Sequence, residues 1–470
     1  MTRSLALLTL LGLLAGPLTA HCSGGDHSSL LLDVELDPAQ NSLSAVATIR
    51  FSPGLAASAS VFYLHGELVV DAVTLNGQPV PFRSKSVLYE SDYSMVARKI
   101  TIDKGNLPAD AVLSVTYSGH FSPSSARSPS DYMKIGPEGV FLRAYRYSLW
   151  FPVFLESGRD SYLVDFEMVK FRIPDDYTLV FVGEKLNEET ANGFTTSTWT
   201  VNDAPIHDLQ ITARKFQVLT RGNVAVYHLD AEASRSAADS IADLSTELLR
   251  YYAANYRDNS NISSVNVLEM PQYGDISAGN MIGISSETFR AFREEDYPKR
   301  TIAHELVHPF VAVPVKRADA VYSLAVEGFP SYFHLLALSE IDGSDAYDDF
   351  LRRVEHWYVQ NKGASEDQRG NTHPPEIPLL EISAEQLSEY KDGYILWGRS
   401  KLFFNYLLRH MGGKDFARFA KTLFSRDSLT EESFVALCNQ FLPGQEDQVH
   451  DWLYTNAYPE NFRLIDSQQQ

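Results

Sequence analysis

Apolar and polar positions alternate along much of residues 27–228. "LLLDVELD" (30–37), "SAVATIRF" (44–51), "ASVFYLH" (59–65), "YLVDFEMVKFRI" (162–173) and "YTLVFVG" (177–183) are the clearest runs, rich in β-branched and aromatic side chains. A period of two, broken by Asn-Gly and Pro-Asp turns, predicts half-buried antiparallel strands. Asn76-Gly77 in "LNGQPVPF" (75–82) marks a hairpin turn. A Ser/Pro-rich stretch, 122–131, reads as a loop. Together these runs predict a β-sandwich-like domain over 27–228.

The period changes near residue 229. "AEASRSAADSIADLSTELLRYYAANY" (231–256) places apolar residues at helical spacing. Two short β segments follow, in "SVNVLEMP" (264–271) and "GNMIGISSETF" (279–289). Helices are then expected at 298–311, 319–338, 344–361, 395–411, 414–425, 430–441 and 446–455, with a Pro/Gly/Asn-rich loop at 365–378. The plan is multidomain: a β domain, then a mostly helical α+β domain over 229–470.

Composition narrows the functions open to this plan. Of 470 residues 44% are hydrophobic and 12% aromatic, enough for packed cores. Sixty acidic against 40 basic residues give a net charge of −20, which disfavours nucleic acid as a partner. Arg3 followed by the apolar "LALLTLLGLLAGPLTA" (5–20) reads as an export signal cleaved after Ala20, which would place the protein in the periplasm or outside the cell. Cys22 then becomes a candidate for lipid attachment, although His21 precedes it where bacterial lipoprotein signals need a small residue. The two cysteines, Cys22 and Cys438, form no disulfide framework.

The chemistry concentrates in "HELVHPF" (304–310). On a helix, positions four apart share a face, so His304 and His308 can aim imidazole nitrogens at one ion. Glu305, one position round, leans over the open coordination site and can take a proton from water. Catalytic zinc normally takes a third protein ligand. Glu327 supplies a candidate after eighteen intervening residues, in a second helix reached past Pro309 and Pro314, which can end the first. His₂Glu with water also suits other divalent ions. His334 and His373 have no motif support and read as core or surface residues.

HExxH, eighteen residues, then "EGFPSYF" (327–333) resembles the gluzincin family of zinc aminopeptidases, which includes the alanyl and leucyl aminopeptidases and leukotriene hydrolase. Gly328, Phe329, Ser331, Tyr332 and Phe333 match that family's "NEGFASYFE". "GELVVDAVTLNGQPVPF" (66–82) and "WFPVF" (150–154) are similar to its first β domain. The resemblance implies a thermolysin-like metallopeptidase domain after the β domain, with one Zn²⁺ on His304, His308 and Glu327. Zinc would polarise a peptide carbonyl and a water, with Glu305 as general base. A tyrosine near the start of a later helix would steady the oxyanion, and Tyr390 and Tyr394 both compete for that role.

The sequence departs from the family where the substrate's amino end is recognised. Family members carry Gly-x-Met-Glu-Asn on an edge strand whose backbone pairs with the peptide and whose Glu holds its ammonium group. The matching stretch is taken as Gly279, Asn280, Met281, Ile282 and Gly283, so Ile282 stands in the place of that Glu. A second family glutamate has no clear counterpart; Glu138 lies near its expected place. Pro309 and Phe310 replace Gln-Trp, and Val326 replaces the Asn before the third ligand. The chain to residue 470 holds no segment matching the family's large C-terminal helical domain. The expectation is an exported zinc peptidase, aminopeptidase-like but without that glutamate. The rivals are an endopeptidase or hydrolase of blocked peptides, and a non-catalytic zinc-containing module of the cell envelope.

Overall fold

The structure is a computed structural model. It describes residues 28–51, 60–89, 95–103, 107–108, 111–121, 133–143, 148–154, 164–201, 210–257, 264–270, 276–361, 375–384, 386–390, 394–456 and 458. The export signal, Cys22, the 122–131 loop and His373 lie outside them. The chain divides into two compact units, residues 1–35, 43–120 and 149–170 in the first, and 36–42, 121–148 and 171–470 in the second.

In the first unit the expected alternation is realised. Strands Ser42–Arg50, Val112–His120, Leu68–Leu75 and Gln78–Pro79 lie side by side in that order. Leu43, Ala45, Ala47 and Ile49 point inward while the residues between them do not, as a strand with one buried face requires. Asn76 and Gly77, at φ 50° and 76°, close the predicted hairpin. Both torsions are positive, which the two-residue turn matching strand twist demands. A separate three-stranded sheet runs Val61–His65, Met95–Ile102, Phe82–Tyr89.

The second unit begins earlier than the change of period at 229 suggested. Strands Gln217–Arg221 and Val224–His228 open a five-stranded sheet that continues through Val265–Met270 and Met281–Ser285 to Ile276–Ala278. The link from Val224–His228 to Val265–Met270 is parallel, and so is the next, to Met281–Ser285. Periodicity assigns a strand but not the sheet it joins, so the period alone put these strands with the wrong neighbours.

Every residue of Val265–Met270 is buried, as befits a parallel strand covered on both faces. On one face Leu268, Met270 and Met281 pack with Phe141, Val180, Val182 and Phe216. Phe141 and Val180 lie on a four-stranded antiparallel sheet ordered Thr178–Phe181, Ile211–Arg214, Gly139–Leu142, Met133–Gly136. On the other face Val267, Ile282 and Ile284 pack under helices Glu232–Asn255 and Asp296–Val311. The Glu269 carboxylate is fully buried and well partnered. It accepts from the Leu229 amide at 2.8 Å and the Ser286 hydroxyl at 2.9 Å, and pairs with Arg290 at 2.9 Å.

The helices fall close to their expected places: Ser344–Asn361, Gly413–Phe424, Glu431–Phe441 and Glu446–Tyr454. Two departures matter. The motif helix runs through Pro309 to Val311 and stops only when Ala312 turns extended, ahead of Pro314. Pro309 therefore sits inside the helix and cannot donate to the Glu305 carbonyl four residues back. Predicted helices 319–338 and 395–411 each open on a π-helical turn, Leu324–Gly328 before Phe329–Asp342 and Tyr394–Arg399 before Ser400–Met411. A π turn inserts one residue into the helix, which residue spacing alone does not reveal.

Candidate metal centre

The motif helix Asp296–Val311 buries Ile302, Ala303, Leu306, Val307 and Phe310 and packs on the strands Ile276–Ala278 and Met281–Ser285. The Tyr252 hydroxyl donates to the Ala303 carbonyl at 2.9 Å and ties it to helix Glu232–Asn255. With the apolar face fixed inward, the histidines four residues apart fall together on the remaining face. The His304 and His308 Nε2 atoms are 3.3 Å apart.

Glu327 reaches the same point from the π turn Leu324–Gly328, its Oε2 lying 3.5 Å from His304 Nε2. Gly328 permits that approach. A Cβ there would collide with Leu324 and come within 3.3 Å of Ser400 Cβ on the helix Ser400–Met411. Phe329, Ser331, Tyr332 and Phe333 are all fully buried, so the other residues of "EGFPSYF" secure the helix rather than touch the site.

The three donors fit a metal ion. Ligands on a tetrahedral ion at about 2.1 Å must stand about 3.4 Å from one another, and the two separations here are 3.3 and 3.5 Å. All three donor atoms lie within 4.8 Å of one another. Two imidazoles and one carboxylate are a standard donor set for catalytic zinc. Glu305, 8% exposed, sits beside them on the same helix.

The surroundings hold groups that the motifs did not announce. His334 is buried, its Nδ1 2.7 Å from the Pro330 carbonyl, and burial drives its pKa well below the usual imidazole range. Lys401, fully buried, donates to the Trp397 carbonyl at 2.8 Å, and burial likewise drives its ammonium pKa well down against the attraction of Glu327. For His304 burial opposes the charged ring. The hydrogen bond and charge of Glu327, with the charge of Glu305, overcome this and raise its pKa. No local signal marks either residue: His334 lies past the motif, seven residues beyond Glu327, and Lys401 sits between Arg399 and the apolar run "LFFNYLL".

The other expected site residues scatter. The Tyr390 hydroxyl is buried and donates to the Pro375 carbonyl at 2.8 Å. Tyr394 opens the π turn Tyr394–Arg399, but its side chain lies outside the described residues. Glu138 is exposed and paired with Lys134 at 3.1 Å.

The segment taken for the edge strand is not an edge. Met281–Ser285 is bonded on both sides, to Val265–Met270 and to Ile276–Ala278, and among the described residues the last of these is the outermost strand on that side. Gly279 and Asn280 are the turn between the two, with Gly279 at φ 55°. The Asn280 amide group accepts from the Gly183 amide at 3.4 Å and donates to its carbonyl at 3.2 Å. Met281 and Ile282, each 1% exposed, point into the two cores. The edge therefore lies a few residues earlier, at Ile276, Ser277 and Ala278. Gly279 and Met281 draw the signature to the turn and the inner arm, and only strand pairing tells which arm is outermost.

No protein-family model matches the chain, and no curated protein matches it. Solved structures do. An M1 zinc metallopeptidase of Deinococcus radiodurans, a point mutant bound to a Tyr-Ser-Ala substrate, superposes with a TM-score of 0.62 at 17% identity, covering 94% of this chain and 96% of that one. Yeast LTA4 hydrolase superposes at 0.64 with 16% identity, over 92% of this chain and 69% of that one. The fold is that of the M1 zinc metallopeptidases. At such identities the likeness is one of fold.

Proposed function

We propose that this protein is an exported zinc metallopeptidase. The convergence of His304, His308 and Glu327 beside Glu305 carries the reading. Zn²⁺ held there would supply a Lewis acid for the scissile carbonyl and make water acidic enough to react near neutral pH. The Glu305 carboxylate takes the proton from the attacking water as the C–O bond forms. It then hands that proton to the amide nitrogen as the C–N bond breaks, leaving a carboxylate and an amine. A hydroxyl donor is needed where negative charge grows on the carbonyl oxygen. Tyr394 is the better candidate, since the Tyr390 hydroxyl is already committed to Pro375. A peptide can add as a further strand along the outermost strand Ile276–Ala278, which packs on the motif helix. The peptide bound to the Deinococcus relative supports a peptide as the substrate class. The apolar segment 5–20 supports export.

One observation favours a second reading of specificity. The described edge, Ile276-Ser277-Ala278, carries no carboxylate to pair with a free amino end. Cleavage within chains or of blocked peptides then follows. Two measurements test both readings. Glu305→Gln is expected to retain its zinc and lose hydrolysis of a peptide library by a factor of about 10²–10⁴; an active variant would refute the mechanism. Comparing free with N-acetylated peptides decides specificity, and a strong preference for free amino ends would exclude the second reading.

A further inference from the structure

The metal-facing nitrogen of His304 has its partners, but the other does not. His304 Nδ1 is buried and has no hydrogen-bond partner among the described residues. With Nε2 turned to the metal donors, Nδ1 must carry the ring proton, and a buried N–H without an acceptor costs roughly 1–3 kcal/mol. Metal-ligating histidines almost always donate this second N–H to an acceptor, which holds the ring and its tautomer in place.

His334 is the side chain placed to accept it. Its ring centroid lies 5.3 Å from that of His304, with the planes at 86°. About 1.2 Å from centre to nitrogen in each ring leaves about 3 Å between nitrogens aimed along the line of centres, which is hydrogen-bond reach. The tautomer of His334 is also set. Its Nδ1 lies 2.7 Å from the Pro330 carbonyl. A carbonyl oxygen only accepts, so Nδ1 of the neutral ring bears the proton and Nε2 bears a lone pair.

We propose that His334 is a positioning residue for the metal centre: in the zinc-loaded protein its Nε2 accepts the Nδ1–H of His304, completing a chain from the Pro330 carbonyl through two imidazoles to the ion. This rests on the metal-binding part of the proposed function and adds a role for a residue outside the donor set. A neutral imidazole, unlike a carboxylate, polarises His304 without adding a charge behind the ion.

The test is zinc affinity of the full chain, by competition with a chromophoric chelator, together with nitrogen NMR of the histidines. His334→Phe keeps a flat ring and removes the acceptor; its zinc affinity is expected to fall 10–100-fold, the usual cost of losing such a partner. His334→Gln restores an acceptor oxygen and is expected to stay within about threefold of the parent, on the same reasoning. Phe binding zinc as well as the parent, or Gln losing as much as Phe, overturns the proposal. Should the Phe variant fail to fold, the unaltered protein decides: loaded with zinc, His334 must show a protonated Nδ1 and a hydrogen-bonded Nε2, and a protonated Nε2 overturns the proposal. A parent that binds no zinc would defeat the functional reading itself, a result distinct from either.

Discussion

Replacing Ile282 by Glu puts the carboxylate where the resemblance to aminopeptidases would want it, and the fold forbids it. Ile282 is 1% exposed, pairs with Val267 on the neighbouring strand and belongs to the core shared by this sheet and its helices. Losing the buried side chain costs about 1.5–3 kcal/mol. The new carboxyl would stay protonated, because burial raises a glutamate from about 4.3 to about 8. Holding the proton at pH 7 costs about 1.36 kcal/mol for each of roughly 2.7 pH units, or about 4 kcal/mol. The sum, about 5–7 kcal/mol, rivals the whole stability of an ordinary domain, about 5–15 kcal/mol.

The pH dependence identifies the cause. A carboxyl whose folded pKa is raised loses stability as pH climbs from its unfolded value towards its folded one, since the native state then holds the extra proton. At pH 5 the protonation part shrinks to about 1 kcal/mol, so Ile282→Glu should be about 3 kcal/mol less damaging there than at pH 7. Urea midpoints at the two pH values measure this. Ser277→Glu, on the half-exposed edge strand, is the control and should shift stability by about 0.5 kcal/mol or less. An Ile282→Glu protein as stable as its parent at pH 7, or equally weakened at both pH values, would show that position 282 is solvated and the strand assignment wrong.

Metal removal should abolish hydrolysis and lower the melting temperature, zinc at a hundred times its Kd restoring about 2.7 kcal/mol; a melting curve indifferent to chelator would argue against the site. Burial lowers His65 to about 4, and its Nδ1 accepts from the Glu67 amide at 3.3 Å. The unfolded chain then binds the proton first, so stability is present above about pH 6.5 and lost as pH falls towards 4. Allowing for partial exposure the loss is on the order of 1–2 kcal/mol, and His65→Gln should flatten it in acid-denaturation curves. Cys438 is fully buried, which pushes its thiol pKa far up. It should resist alkylation at pH 8 until denaturant is added, and prompt labelling of the folded protein would contradict its burial.

The metal donors were legible because a helix converts spacing into direction. His304 and His308 needed only the 3.6-residue period, and Glu327 needed only a second helix returning past the first. The β strands and most helices were legible for the same reason, since alternation and helical spacing report which face is buried. His334 and Lys401 were not. Nothing local sets apart a histidine or lysine whose importance comes from residues packed against it. Tyr390 illustrates the reverse: the sequence put it in contention for the oxyanion role, yet its hydroxyl is spent on Pro375.

The sequence by itself determined the local elements, the two chief architectures and the metal donor set, because each follows from periodicity and short-range chemistry. Tertiary structure decided which sheet the strands at 217–228 join, which arm of the 276–285 hairpin is outermost, and that Ile282 faces a core. Those outcomes depend on hydrogen bonds between strands distant in the chain, and local side-chain pattern carries no record of the partner.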